Sequence, residues 1–249
     1  MGLAEITTSP KDERRPDSGI IFRVKVPRLA LLWLIFGWLF VVLYPDPTML
    51  VRSIANIIHP DVDAAAVQGI AASLPNDPKL VEEAVLTKIV PYAYDWKVNG
   101  VPWYFPTAAE ALASRQGDCE SRAIVLASIL KAKGIPFQIL MSFDHIWVQY
   151  PGKADNSIEN AGAILARRVN GHLVWGWPKD FHLGAEINAQ IDMFWDPMPT
   201  ARRLLLFGGL LLLLMINPIL LGRRLPWRNR GSYVLAGPAC PVKTASRVV

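Results

Sequence analysis

Two long apolar runs interrupt a chain that otherwise alternates between apolar and polar positions. Residues 29–44 carry no charge and include Trp33, Trp38 and several Phe and Leu, and residues 204–222 are nineteen residues without a charge. As a helix the first run spans about 24 Å, somewhat short of a hydrocarbon core of about 30 Å, so Val24, Val26 and Pro27 are expected to extend it and Arg28 to snorkel. The second is the stronger membrane-spanning segment. The long charged lead-in and the absence of a small-x-small site before Pro45 argue against a cleaved signal peptide.

Between the runs the periods are those of a mixed fold. Asp61 is expected to cap a helix through Leu74, and Asp77-Pro78 to open another that Pro91 ends. Thr107 and Glu110 stand at capping-box spacing before a short helix through Ser114. Cys119, Ala123, Leu126 and Leu130 recur at one helical face, with Gly134 and Pro136 stopping that helix. Phe137, Ile139, Met141 and Phe143 alternate with Gln138, Leu140 and Ser142 as in a strand, and residues 145–150 read as a second strand with His145 and Trp147 on one face. Residues 164–169 and 172–177 flank Asn170-Gly171, a hairpin signal. Ile187, Ile191, Phe194 and Trp195 form an amphipathic stretch before the second apolar run, suited to a membrane surface or to packing on the domain.

Composition sharpens the membrane reading. Hydrophobic residues make up 52% of the chain and the mean hydropathy is +0.26. The net charge of +5 belongs to the tails. Residues 1–28 hold six Lys/Arg and four Asp/Glu and residues 223–249 hold six and none, leaving 14 basic and 17 acidic residues between. That balance excludes a nucleic-acid surface on the central segment. Arg223, Arg224, Arg228 and Arg230 after the second run outweigh Arg202 and Arg203 before it, which places both termini in the cytoplasm. The expected organisation is a cytoplasmic tail (1–27), a first membrane helix (28–45), an extracytoplasmic domain (46–200), a second membrane helix (203–222) and a basic cytoplasmic tail (223–249). In a bacterial cell this is a two-pass inner-membrane protein with a periplasmic domain.

With two cysteines, Cys119 and Cys240, a disulfide framework is excluded. His59, His172 and His182 lack acidic or cysteine partners at ligand spacing, so no metal site and no cofactor are expected. Cys119 is the residue of interest. Asp118 before it is a good N-cap, its carboxylate suited to accept first-turn N–H groups, and the helix dipole there favours a thiolate. A thiol at a helix start and an imidazole at a later strand start are the two halves of a Cys–His nucleophile system. The plainer alternative is a small core residue and a surface donor. Tyr92 to Tyr104 form an aromatic-rich loop that either walls a cleft beside Cys119 or simply packs.

Gly117-Asp118-Cys119, the helix ending Ala132-Lys133-Gly134-Ile135-Pro136, and His145-Ile146-Trp147-Val148 together resemble the transglutaminase-like superfamily, cysteine enzymes with a papain-like core. The resemblance covers roughly residues 84–160. It implies an α+β fold of helices on an antiparallel sheet, a Cys119 nucleophile, a His145 base, and a backbone N–H of Cys119 in the oxyanion hole. The family's third residue is an Asp or Asn on the strand after the histidine. This chain departs from that pattern: the equivalent region offers Asp155, Asn156, Glu159 and Asn160, and Ile158-Glu159-Asn160 is the best local match, with Glu159 first and Asn160 second. The implied function is a thiol enzyme acting on protein or peptide amides through a Cys119 thioester, by hydrolysis or acyl transfer. The alternative is an inactive domain of the same type that docks an envelope protein partner within a membrane complex.

Overall fold

The computed structural model describes residues 28–220 except Asn160, Asn170, Gly171 and residues 180–182. Among the described residues the chain is mixed α+β, with nine helices and one four-stranded antiparallel sheet. The helices are α1 (Arg28–Leu43), α2 (Pro47–Ile58), α3 (Gln68–Ser73), α4 (Pro78–Ala84), α5 (Asp95–Val98), α6 (Ala108–Ser114), α7 (Cys119–Ala132), α8 (Leu183–Gln190) and α9 (Thr200–Leu220). Helices α4 and α8 each run on into one π-helical turn, Val85–Ile89 and Ile191–Trp195. The strands are β1 (Gln138–Met141), β2 (Ile146–Gln149), β3 (Ala166–Val169) and β4 (His172–Trp175), in the order β2-β1-β3-β4.

Local chemistry accounts for most of these boundaries. Asp77 accepts the Lys79 N–H at 2.9 Å ahead of Pro78, and Thr107 and Glu110 form a reciprocal capping box. Helix α7 ends where Gly134 takes φ +67, and the β3–β4 register pairs Val169 with His172 across the two-residue Asn170-Gly171 connection. The helix expected to start at Asp61 is shorter. Asp63 instead accepts the Ala65 N–H at 2.8 Å in a preceding turn, and the helix proper begins after Val67. A side chain that closes a turn on its own backbone competes with helix propagation there.

The core is α7 laid against β2 and β1. Ile124, Val125, Ala127, Ile129 and Leu130 are fully buried, as are Val81 and Val85 of α4 and its π turn. At about 25 cal/mol per Å² of apolar surface, this packing is the main stabilisation of the α7 N-terminus, where Cys119 stands. Helices α1 and α9 pair separately. The Trp38 indole lies where a side chain on Gly209 would have to be, and its Nε1–H donates to the Leu206 carbonyl at 3.3 Å. Of the Gly208-Gly209 pair, then, Gly209 makes the close approach. Val42 and Leu206 bury against Trp96 and Met198, joining this pair to the domain. Among the described residues no single helix is long and apolar enough to cross a membrane. The bent pairs Leu29–Leu43 with Pro47–Ile58, and Leu183–Trp195 with Thr200–Met215, reach that length and composition together.

Candidate active site

Gly117 sets the loop that delivers Cys119. Its N–H donates to the Pro91 carbonyl at 3.1 Å and its carbonyl accepts the Ala93 N–H at 3.0 Å, a parallel bridge with Tyr92. A Cβ at 117 would fall 2.3 Å from the Ser121 side chain, so only glycine lets the loop close on the first turn of α7. Cys119 is then the first residue of the helix and is buried.

His145 stands immediately before β2, held by its N–H to the Ser142 hydroxyl at 3.0 Å and by its carbonyl to the Ser142 N–H at 2.8 Å. Its ring stacks on Trp147, 6.0 Å between centroids and 9° between planes, so the two do share one strand face. Imidazole Nε2 meets Glu159 Oε1 at 3.0 Å. With Nε2–H donating to that carboxylate, Nδ1 is left as the acceptor. Two cavities of about 220 and 210 Å³ flank Cys119 and His145, and both residues line both of them. The first runs past Trp103, Phe143, Met193 and Phe194; the second past Tyr92, Leu126, Ile158 and Glu159. A cleft therefore passes the thiol and the imidazole on two sides.

Glu159 is the expected orienting residue that the structure brings to the imidazole. Asn160 lies outside the described residues, as do His182 and Cys240. Glu159 is in turn fixed by Lys153, Glu82 and Tyr150, for which the sequence suggests no role at the site, and by Asn156, which the same region offers beside it. Lys153 Nζ sits 2.9 Å from Glu159 Oε2 and 2.6 Å from Glu82 Oε1, and Tyr150 donates its hydroxyl to Glu82 Oε2 at 2.5 Å. Asn156 Nδ2 donates to Glu159 Oε2 at 3.0 Å. Burial alone would raise the Glu159 pKa, but the hydrogen bonds from His145 and Lys153 and the lysine charge hold it at about 2. The carboxylate stays ionised across the working pH range.

The thiol side departs from expectation in two respects. Asp118 is the N-cap by backbone geometry, yet its carboxyl makes no capping hydrogen bond. It is buried and turns instead toward Asp95 and Glu120, with Oδ1 unpaired. Burial, then the charges of Glu120 and Asp95, raise its pKa well above the usual carboxylate range, and burial with the Glu120 charge lifts Asp95 to about 7. Crowding these carboxyls in a buried place disfavours charge on Asp95 and Asp118. The second departure is Cys119 itself. Its Sγ donates to Glu120 Oε2 at 3.0 Å rather than to His145. Burial first, then the charges of Glu120 and Asp118, push the thiol pKa well up, against a single favourable hydrogen bond from the Ile146 N–H. The helix terminus does not overcome a buried carboxylate one residue away.

The aromatic loop divides between the two roles expected for it. Trp96 is buried against α1 and α9, whereas Trp103 lines the first cavity and donates Nε1–H to Glu120 Oε1 at 2.5 Å. The signal for Glu120 was present in its position beside Cys119, but a charged residue in a helix's first turn ordinarily faces solvent. Among the described residues no group of three or more His, Cys, Asp or Glu side chains is disposed to hold a metal ion. Comparison with protein-family models, with curated proteins and with solved structures finds no match to this chain.

Proposed function

We propose that this chain is a membrane-anchored, transglutaminase-like thiol enzyme that acts on protein or peptide amides outside the cytoplasm. The observation that carries the reading is that Cys119 and His145 line one cleft, with Nε2 of the imidazole held by the ionised Glu159. In the reaction, His145 Nδ1 takes the Cys119 thiol proton as the thiol turns from Glu120. The thiolate then adds to the amide carbon, forming the C–S bond, and the carbonyl oxygen takes the negative charge. As the C–N bond breaks, the imidazolium returns its proton to the departing amine and leaves a thioester. Water activated by His145 releases an acid and restores the thiol, or an amine releases a new amide. The family resemblance implies that the Cys119 backbone N–H receives the oxyanion. On the same reading α1 and α9 are the two membrane anchors; α1, at 16 residues, is accommodated by local thinning of the bilayer.

A second reading, a non-catalytic docking subunit, is favoured by the buried, raised thiol and its bond to Glu120. The two are separated by incubating the purified full chain with unfolded casein and a fluorescent primary amine. Catalysis predicts casein cleavage, deamidation or amine incorporation that is lost in both Cys119→Ala and His145→Ala, each still folded by circular dichroism. No conversion by the native chain, or conversion unchanged in Cys119→Ala, overturns the enzyme reading.

A further inference from the structure

Helices α2 and α8 each carry an exposed apolar stripe besides the face they pack on the protein. A helix at a protein–water boundary puts its apolar stripe inward and its polar face outward. In α2 the polar Ser53 and Asn56 face the protein beside Met49, Leu50 and Ile57, while Thr48 and Arg52 are exposed. The Ser53 hydroxyl is buried and accepts the Phe105 N–H at 3.0 Å, and Asn56 Nδ2 donates to the Phe105 carbonyl at 2.8 Å. Val51 (67% exposed), Ile54 and Ile58 then point outward at spacings of three and four. Helix α8 and its π turn repeat the arrangement. Gln190 Nε2 donates inward to the Phe143 carbonyl at 3.1 Å, while Leu183 (63% exposed), Ile187 and Ile191 form an outward stripe at spacings of four.

Both helices also leave the α1–α9 pair at the same end and near right angles to it. Trp38 packs on Gly209 and Leu206, and the Val42 carbonyl accepts from Arg202 at 2.7 Å, so rising numbers in α1 meet falling numbers in α9 and the pair is antiparallel. The C-terminus of α1 and the N-terminus of α9 are therefore level. From that level α2 departs at 78° to α1, and α8 with its π turn meets α9 at 103°. If α1 and α9 cross a bilayer, the 78° and 103° bends lay α2 and α8 along its surface, and all four helices carry exposed apolar residues.

Resting on the membrane reading proposed above, we infer that α2 and α8 are seated in the phospholipid headgroup layer, apolar stripes toward the acyl chains. An interfacial helix buries one apolar face about 5–10 Å into that boundary and leaves the other face for its own protein, which is the division seen in both. The first cavity beside Cys119 is walled by Ile57 of α2 and by Gln190, Met193 and Phe194 of α8 and its π turn. The two seated helices supply part of its wall, so on this reading the cleft lies beside the membrane surface. The substrates within its reach are amides in the juxtamembrane segments of membrane-anchored polypeptides.

The test uses the full chain in phosphatidylcholine vesicles, with Cys119→Ser and Cys240→Ser as background. A fluorophore is attached in turn through Ile54→Cys, Ile187→Cys, Phe207→Cys on α9 and Lys79→Cys on α4. Quenching by headgroup-labelled and by acyl-chain-labelled nitroxide lipid is compared. The expected result is at least twofold stronger headgroup quenching at 54 and at 187 than at 79, with acyl-chain quenching at 207. Quenching at 207 without headgroup quenching at both 54 and 187 overturns the seating of the helices and leaves the anchors standing. No quenching at 207 removes the membrane reading itself, and this inference with it.

Discussion

Around the imidazole, Glu82, Glu159 and Tyr150 converge on one buried cation, Lys153, whereas around the thiol Asp95, Asp118 and Glu120 converge on one another. Among the described residues no lysine or arginine forms an ion pair with these last three, and Arg122 nearby spends its guanidinium on the Val90 and Leu86 carbonyls and on the Tyr92 ring. The consequences run in opposite directions. On the compensated side a half-buried glutamate is held down at about 2, and on the uncompensated side a buried aspartate rises to about 7 and a thiol rises with it. The shifts are opposite because the thiol side is more deeply buried and only the imidazole side received a positive charge. The imidazole is thus held by an ionised partner, whereas the thiol is bonded to Glu120 with its pKa raised.

The comparison breaks most severely at Lys153. Lys153→Met leaves Glu82 and Glu159 facing each other without their cation, and removing one partner of a buried pair costs about 3–5 kcal/mol. Urea unfolding of the full chain in detergent is expected to show that loss, and an unchanged midpoint would mean that the lysine is not what holds the glutamates. Glu159→Gln isolates the next largest effect. The Glu159 pKa is lower folded than the usual 4.5, so its contribution is present above about pH 4.5 and is lost as pH falls toward about 2. The difference between native chain and variant should be about 3 kcal/mol at neutral pH and vanish near pH 2. A constant difference across that window would assign it to packing instead. Glu120→Gln acts on the other half and with the opposite sign. It keeps an acceptor for the thiol but removes the charge, so alkylation of Cys119 at pH 7 should quicken on the order of tenfold. An unchanged rate would clear Glu120 of restraining the thiol.

Legibility in the sequence followed the range of the interaction. The α7 helix, the Thr107–Glu110 capping box and the Asp77-Pro78 start depend on residues within four positions of each other, and each stands where its spacing placed it. Glu159 was within reach for a different reason, since the family resemblance implies an orienting residue after the His145 strand and Ile158-Glu159-Asn160 is the best local match to it. Lys153 and Glu82 are 71 positions apart, and nothing in the local pattern around either one points to the other. Asp118 shows the reverse failure. Its position invites capping, but α5 brings Asp95 against it, and burial beside a second carboxyl is a tertiary fact that no local rule contains. The paired glycines 208 and 209 were equally visible, and only the packed Trp38 ring distinguishes one from the other.

The wall of the first cavity also has a temporal meaning. Met193 and Phe194, whose carbonyl receives the Trp96 indole N–H at 2.8 Å, lie 74 and 75 positions after Cys119. They are followed directly by α9, where Arg203 holds the carbonyls of Trp195 and Asp196. During synthesis the thiol, the imidazole and Glu159 therefore emerge well before the last wall of their cleft. A nascent chain stopped ahead of residue 183 carries every member of the proposed triad around an unfinished site. Closure of the cleft is deferred until α9 has been made and has found Trp38, which ties assembly of the site to a helix that follows all three of its polar residues.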